Sequence, residues 1–179
     1  TGRYHTQFEA AGTIHLEFKA VAHFATIFLD GKKIASHYNA YTPFSVIQTV
    51  EPGMHELIVE ADNSFTPESA LHVENDYQSY GGIPRPVVLE ELGDVLIKSV
   101  HITPKKNGTW RTDWEATLVN LTDRTINGTL VCSIENVCTV KKTISLAAKE
   151  EKKIVVSDLI CPDVCEWNPD MPNLYQAET

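Results

Sequence analysis

The chain lacks any run of about eighteen apolar residues, so it contains no segment suited to crossing a membrane as a helix. Its longest apolar stretch, Phe24 to Leu29, has the length of a strand. Basic residues are few: 15 Lys and Arg stand against 24 Asp and Glu, giving a net charge of −9. That balance excludes a phosphate-backbone partner, whose binding needs a basic face to displace counterions. The basic clusters are Lys141-Lys142 and Lys149 to Lys153, and glutamates interrupt the second, which reads as a solvated face. The seven histidines show no His-x-His or i, i+4 grouping. Cys161-Pro-Asp-Val-Cys165 has no second Cys/His pair to complete a zinc site. No metal or cofactor is therefore expected. The first residues show no basic and apolar leader, so no secretory signal is visible.

What is present is alternation. Apolar and polar residues alternate over Arg3–Phe8, Ile14–Phe18, Phe24–Leu29, Lys33–His37, Phe44–Thr49, His55–Ala61 and Val87–Glu91. A second set runs through Leu96–Thr103, Trp110–Asn120, Asn127–Ile134, Val137–Leu146, Lys152–Val156 and Asn173–Glu178. Helical periodicity is scarce. The pattern predicts an all-β chain of two antiparallel sandwiches in series, residues 1–93 and 94–179, with the boundary at Gly93-Asp94 and an immunoglobulin-like second domain. Asp30-Gly31 predicts a tight hairpin, because a type I′ turn needs positive φ at both central residues. Glu51-Pro52-Gly53 is read as a second turn.

Local chemistry sharpens several positions. Cys132 and Cys138 flank a turn at Glu135-Asn136, which is expected to set them opposite each other, with reduced thiols preferred because a normal core needs no disulfide framework. Trp110 and Trp114 fall on one face of a strand and read as packing. Asn107-Gly-Thr109, Asn120-Leu-Thr122 and Asn127-Gly-Thr129 satisfy the glycosylation pattern and are read as coincidental. The long stretch between Ala61 and Pro86 is poor in alternation and rich in aromatics, glycine and aspartate, which marks a functional loop.

Three stretches carry a resemblance. Phe28-Leu29-Asp30-Gly31-Lys32-Lys33-Ile34 with His37 and Tyr41-Thr42-Pro43-Phe44, then Pro52-Gly53-Met54-His55-Glu56-Leu57 with Asp62-Asn63, then Tyr80-Gly81-Gly82-Ile83 with Arg85, together resemble the sugar-binding domain of glycoside hydrolase family 2. Trp167-Asn168-Pro169-Asp170 with Pro172 and Leu174-Tyr175 looks like the run that closes that family's immunoglobulin-like domain. Pro84, standing where the family usually has an aromatic, and Tyr77-Gln78, standing where a tryptophan is common, depart from the pattern.

The resemblance implies a galactose-binding-like jelly roll, incomplete at its N-terminus, followed by an immunoglobulin-like sandwich. It also implies a (β/α)₈ barrel with two catalytic glutamates, for which 179 residues leave no room. The chain is thus expected to be a non-catalytic part of a hydrolase of β-galactosides or β-glucuronides, inactive alone. Its expected partners are the carbohydrate and its own C-terminal barrel, in a homo-oligomeric parent of the bacterial cytoplasm or, alternatively, outside the cell. The competing expectation is a free-standing carbohydrate-binding module.

By position, the resemblance assigns substrate binding to Asp76, with Tyr77 and Tyr80 offering apolar faces to the sugar. Gly81 and Gly82 are expected to let the backbone pass a surface where a Cβ would collide. Arg85 is expected to pair with a carboxylate at the domain junction, and Trp167 to anchor the last strand or the barrel contact.

Overall fold

The computed structural model describes residues 1–67 and 80–179, and among these there is no helix. The chain divides into two compact units, Thr1–Leu92 and Gly93–Thr179. The first holds one antiparallel sheet of strands β1 (Gly2–Phe18), β2 (Phe24–Leu29), β3 (Lys32–Tyr38), β4 (Phe44–Asp62) and β5 (Val87–Glu91), ordered β3-β2-β4-β1-β5.

Two pairs of expected strands are each a single strand. Arg3–Phe8 and Ile14–Phe18 lie on β1, and Phe44–Thr49 and His55–Ala61 lie on β4. Glu51-Pro52-Gly53 is therefore not a turn between strands. The break in alternation at these positions comes from a bulge, where the β1–β4 register slips between Ala10 and Gly12. Gly12 has φ of 77° there, a backbone that L side chains rarely adopt.

The bulge folds the ribbon over. Thr6 and Leu16, both on β1, line one cavity of about 280 Å³ with Leu57, Val59, Ile83 and Val87. Ten residues of straight strand would hold those two about 33 Å apart. The two halves of the β1–β4 ribbon thus face each other, and Ile14, Leu16 and Phe18 share one core with Ile27, Leu57 and Val59. Stacking of Phe44 on both Phe18 and His37, at ring separations of 4.8 and 4.4 Å, closes one end of that core.

The β2–β3 hairpin turns at Asp30-Gly31 with φ of 50° and 76°, as a type I′ turn demands. Asp30 does more than turn the chain. Its Oδ1 accepts from the Glu56 amide at 2.9 Å and its Oδ2 from His55 Nδ1 at 2.7 Å, while His55 Nε2 lies 2.8 Å from the Glu51 carbonyl oxygen. Both ring nitrogens face acceptors, which only the imidazolium can satisfy. The Asp30 bond foremost, then the Glu51 carbonyl, raises the His55 pKa above 6.5. The His55 bond and the Glu56 amide lower that of Asp30 below 3.8.

The second unit is a sandwich of two three-stranded sheets. Strands β6 (Val95–Asn107), β7 (Thr109–Asn120) and β10 (Glu151–Ile160) order as β10-β7-β6. Strands β8 (Ile126–Ile134), β9 (Cys138–Leu146) and β11 (Ala177–Glu178) order as β11-β8-β9. On β7 every second residue from Thr112 to Asn120 is buried, the period a half-buried strand requires. Trp114, Ala116 and Leu118 from this strand meet Leu130, Cys132, Leu146 and Ile154. Trp110 shares the face of Trp114 but is only half-buried, under the Lys106 ammonium at 5.6 Å.

The expected last strand, Asn173–Glu178, shortens to Ala177–Glu178 because Asn168 bends the preceding chain. Its Oδ1 accepts from the amides of Asp170 and Met171 at 3.0 and 2.8 Å. The cysteine expectation also needs correction. Ile134 faces Cys138 across the β8–β9 hairpin and Cys132 faces Val140, since the turn takes three residues with Asn136 at φ of 59°. Cys138 lies instead 3.6 Å, sulfur to sulfur, from Cys161.

Asn120 is fully buried, and its amide holds the sandwich end together. Nδ2 donates to the carbonyls of Arg124, Leu146 and Ala147, at 2.7, 3.3 and 2.7 Å, and Oδ1 accepts from the Thr122 amide and hydroxyl at 2.9 and 2.8 Å. Its amide nitrogen is inaccessible to a glycan in the folded chain, whereas Asn107 and Asn127 are exposed.

Two outcomes follow from these clusters. The Asp30–His55 contribution is full between the ordinary Asp and His pKa values, 3.8 and 6.5. It is lost as pH rises through the raised His55 value, and lost again as pH falls through the lowered Asp30 value. Thermal unfolding should show its midpoint dropping as pH rises above 6.5, and Asp30→Asn should flatten that drop; an equal slope in the variant would dismiss the pair. Asn120→Ala should cost about 2–4 kcal/mol in denaturant unfolding, because it orphans buried carbonyls. A loss under about 0.5 kcal/mol, the size of a surface substitution, would show that water replaces the amide.

Candidate functional site

The segment from Asn63 to Gly81 leaves the first sheet and returns to it, and the described residues fix both of its ends. At the departing end, Asp62 ends β4 and its carbonyl accepts from the His23 amide at 2.9 Å. The Asp62 side chain starts a turn, Oδ1 accepting from the Ser64 amide at 2.9 Å and hydroxyl at 2.6 Å. Those two bonds, the hydroxyl first, hold its carboxyl below the usual range. Phe65, half exposed, sets its ring edge-on to buried His23 at 6.1 Å.

At the returning end Gly82 makes a two-way bridge with Ala22, the Ala22 amide donating at 2.9 Å and the Gly82 amide at 3.3 Å. Both ends are thus hydrogen-bonded to the same dipeptide, Ala22-His23, which the fold buries completely. Beyond Gly82 the chain stays fixed: Ile83 packs on the core, the Lys19 amide donates to the Pro86 carbonyl at 3.1 Å, and β5 pairs with β1.

The two glycines have separate steric reasons. A Cβ on Gly81 would stand 2.7 Å from Cγ and 2.8 Å from Nδ2 of Asn63, so the two ends of the segment touch each other. A Cβ on Gly82 would collide with the Tyr4 hydroxyl, and Gly82 has φ of 95° besides. Alternation and turn composition carry no sign of Tyr4, Ala22 or His23 as the anchor. Asn63 lies in a stretch that carries the resemblance, but its contact with Gly81 is a tertiary one that residue spacing does not disclose.

The other residues singled out from the sequence fall as follows. Asp76 and Tyr77 lie outside the described residues. Tyr80, directly before the glycines, is 73% exposed. Arg85 is exposed too, and among the described residues no carboxylate pairs with it; Glu90 of β5 binds His15 Nδ1 at 3.0 Å. Trp167 is 59% exposed and stands outside the core of the second unit. The backbone beside it is nonetheless ordered by Lys106, which binds Glu166, and by Asn173, whose Nδ2 donates to the Glu166 carbonyl at 2.9 Å. The Lys106 bond first, and its charge next, keep Glu166 below the usual carboxylate range.

The cavity inside the folded sheet is the wrong chemistry for a polar ligand. Phe8, Leu16, Leu57, Val59, Ile83 and Val87 line it, whereas a sugar needs convergent donors and acceptors. The anchored segment, with an exposed aromatic at its returning end, is the better site.

Gly82→Ala should cost about 1–3 kcal/mol, through a strained left-handed backbone and the displaced phenol. Adding Tyr4→Phe should recover part of that loss, while Gly93→Ala, whose added carbon meets nothing within 4 Å, should be neutral. Equal costs at positions 82 and 93 in chemical denaturation would remove the steric role.

A β-galacturonidase of Eisenbergiella tayi, solved with galacturonate bound, is 46% identical, superposes with a TM-score of 0.89, and is matched over 97% of this chain and 32% of its own. The β-galactosidase of Thermoanaerobacter pseudethanolicus is 26% identical over 176 residues, 92% of this chain. A Bacteroides uniformis β-glucuronidase shares the fold at a TM-score of 0.85 and 21% identity. The chain spans only 23% of the length of the Thermoanaerobacter relative. Residues 2–123 match the family described as glycosyl hydrolase 2 galactose-binding domain-like, and the chain belongs to that family.

Proposed function

We propose that this chain is the non-catalytic, substrate-positioning part of a family 2 glycoside hydrolase, and that the segment anchored on Ala22-His23 carries Asp76 to the sugar. The observation that carries the reading is the double anchorage: Asp62 and Gly82 both bond to one buried dipeptide, so a long segment leaves and re-enters the sheet at one place. A loop held this way can present a side chain beyond the domain's own surface without loosening the fold. An aspartate suits the task, since its ionised carboxylate accepts from two vicinal hydroxyls.

The barrel that holds the catalytic carboxyls belongs to the same proposal, as does a homo-oligomeric, cytoplasmic parent. Retaining hydrolysis places two carboxyls about 5–5.5 Å apart. Several carboxylates among the described residues are taken up by cations, Asp30 by His55 and Asp113 by Lys105 among them. For the glycoside itself, the 46% identity to a β-galacturonidase supports a β-linked galacturonide ahead of the neutral galactoside or the glucuronide.

The chain alone should not hydrolyse nitrophenyl β-galacturonide, β-galactoside or β-glucuronide, and calorimetry should find weak or no monosaccharide binding, since one wall of a pocket buries too little. Turnover above a blank would overturn the non-catalytic reading. Tight binding would make the chain a free-standing carbohydrate module instead. In the intact parent, Asp76→Ala should lower kcat/KM by about 10-fold or more at unchanged thermal stability, the loss of one charge-assisted bond. An unaltered rate would return Asp76 to an ordinary turn residue.

A further inference from the structure

We propose that Cys138 and Cys161 form a reversible disulfide that staples the two sheets of the second unit at their β9–β10 seam. Cys138 opens β9 in one sheet, and Cys161 directly follows β10 in the other. Their sulfurs are 3.6 Å apart although the residues are 23 positions apart in sequence. Bonding requires an approach of about 1.5 Å, within reach of side-chain rotation. All four cysteines are free thiols here.

The seam has a gap for such a staple. β9 and β10 share no ladder, and side chains span the space between them: Lys142 Nζ donates to the Val155 carbonyl at 2.6 Å, and Lys152 Nζ to the Ser145 carbonyl at 3.0 Å. The first bond lies at mid-seam and the second at the end far from the cysteines. At the cysteine end, Cys138, Val140, Val156, Leu159 and Pro162 line an open cleft of about 620 Å³. The Cys161 backbone is already fixed, its amide donating to the Trp110 carbonyl at 2.8 Å. The staple would therefore also tether the start of the segment that carries Trp167 to β9.

The two thiols differ in a way that orders the chemistry. Cys138 is half-buried, whereas Cys161 is 5% exposed and burial pushes its pKa up to about 11. A small disulfide such as glutathione disulfide meets Cys138 first. The Cys138 thiolate attacks one sulfur of the oxidant, forming a mixed disulfide and releasing one glutathione thiolate. Cys161 then loses its proton to solvent and attacks Cys138 Sγ, closing the protein disulfide and releasing the second thiolate. Two protein thiols are oxidised and one glutathione disulfide is reduced to two glutathiones.

The test uses the full chain, incubated with glutathione disulfide at neutral pH, quenched with acid, and mapped by mass spectrometry of non-reduced peptides. The expected result is one intramolecular link between the Cys138 and Cys161 peptides, reversed by dithiothreitol, with the unfolding midpoint raised by at least about 5 °C. Cys161→Ser should stop at glutathione retained on Cys138, and Cys138→Ser should leave Cys161 unmodified. A link involving Cys165 or Cys132, lasting glutathione on Cys138 of the wild-type chain, or unchanged thiols at both Cys138 and Cys161 would each overturn the proposal. The wild-type map decides the matter even where a variant fails to fold.

Discussion

A strand of seventeen residues and one of nineteen cannot run straight inside a domain of this size. Extended, β1 would be about 58 Å long, whereas a compact unit of ninety residues has a radius of gyration near 12 Å. The ribbon must bend, and everything in the first unit depends on where. Bending at Ala10–Gly12 turns one continuous sheet into two facing layers, so that Leu16 and Leu57 share a core while remaining on strands hydrogen-bonded to each other. The facing layers then bury the Val21-Ala22-His23 connection, and that buried connection is what both ends of the 63–81 segment grip.

The second unit solves the same problem differently. Its six strands divide between two separate sheets, joined by a shared apolar core and by side chains that reach backbone atoms. Asn120 ties the end of β7 to the carbonyls of Leu146 and Ala147, and the lysines of β9 and β10 each borrow a carbonyl from the opposite edge. Using Lys at such an edge also discourages pairing with a foreign strand, since a charged side chain over the exposed backbone resists further addition.

Much of this was legible in the residues. Period-two alternation located all eleven strands of the described residues, whole or in part, because alternate burial is what a half-covered sheet imposes. The Asp30-Gly31 turn was legible for a local reason, positive φ at two adjacent positions. The resemblance carried by Tyr80-Gly81-Gly82-Ile83 pointed to the family, and the glycine pair to a close approach. Long-range facts were not legible. A bulge and a hairpin leave similar local marks, a glycine or proline breaking the alternation, so β1 and β4 each read as two strands. Cys132 does not meet Cys138 because the β8–β9 ladder pairs Cys138 with Ile134 and Cys132 with Val140, and the approach of Cys138 to Cys161 is a tertiary contact that composition does not encode. The partners of Gly82, namely Tyr4 and Ala22, lie some sixty to eighty residues away and carry no motif.

Anchoring both ends of a loop at one point changes what the loop can carry. Closing a segment of this length costs conformational entropy that grows only with the logarithm of its length, so the expensive step is fixing the ends. Here that step is taken by the domain core: backbone bonds to a buried dipeptide at both ends, and a glycine whose missing side chain lets the ends touch. The steric constraints that the described residues show stand at these two ends, on Asn63, Gly81 and Gly82. A side chain added at Gly81 meets Asn63, and one added at Gly82 meets Tyr4, so substitution there disturbs the anchorage itself. The role proposed for Asp76 asks of the fold only that these two ends stay fixed, and the strongest steric constraints stand there.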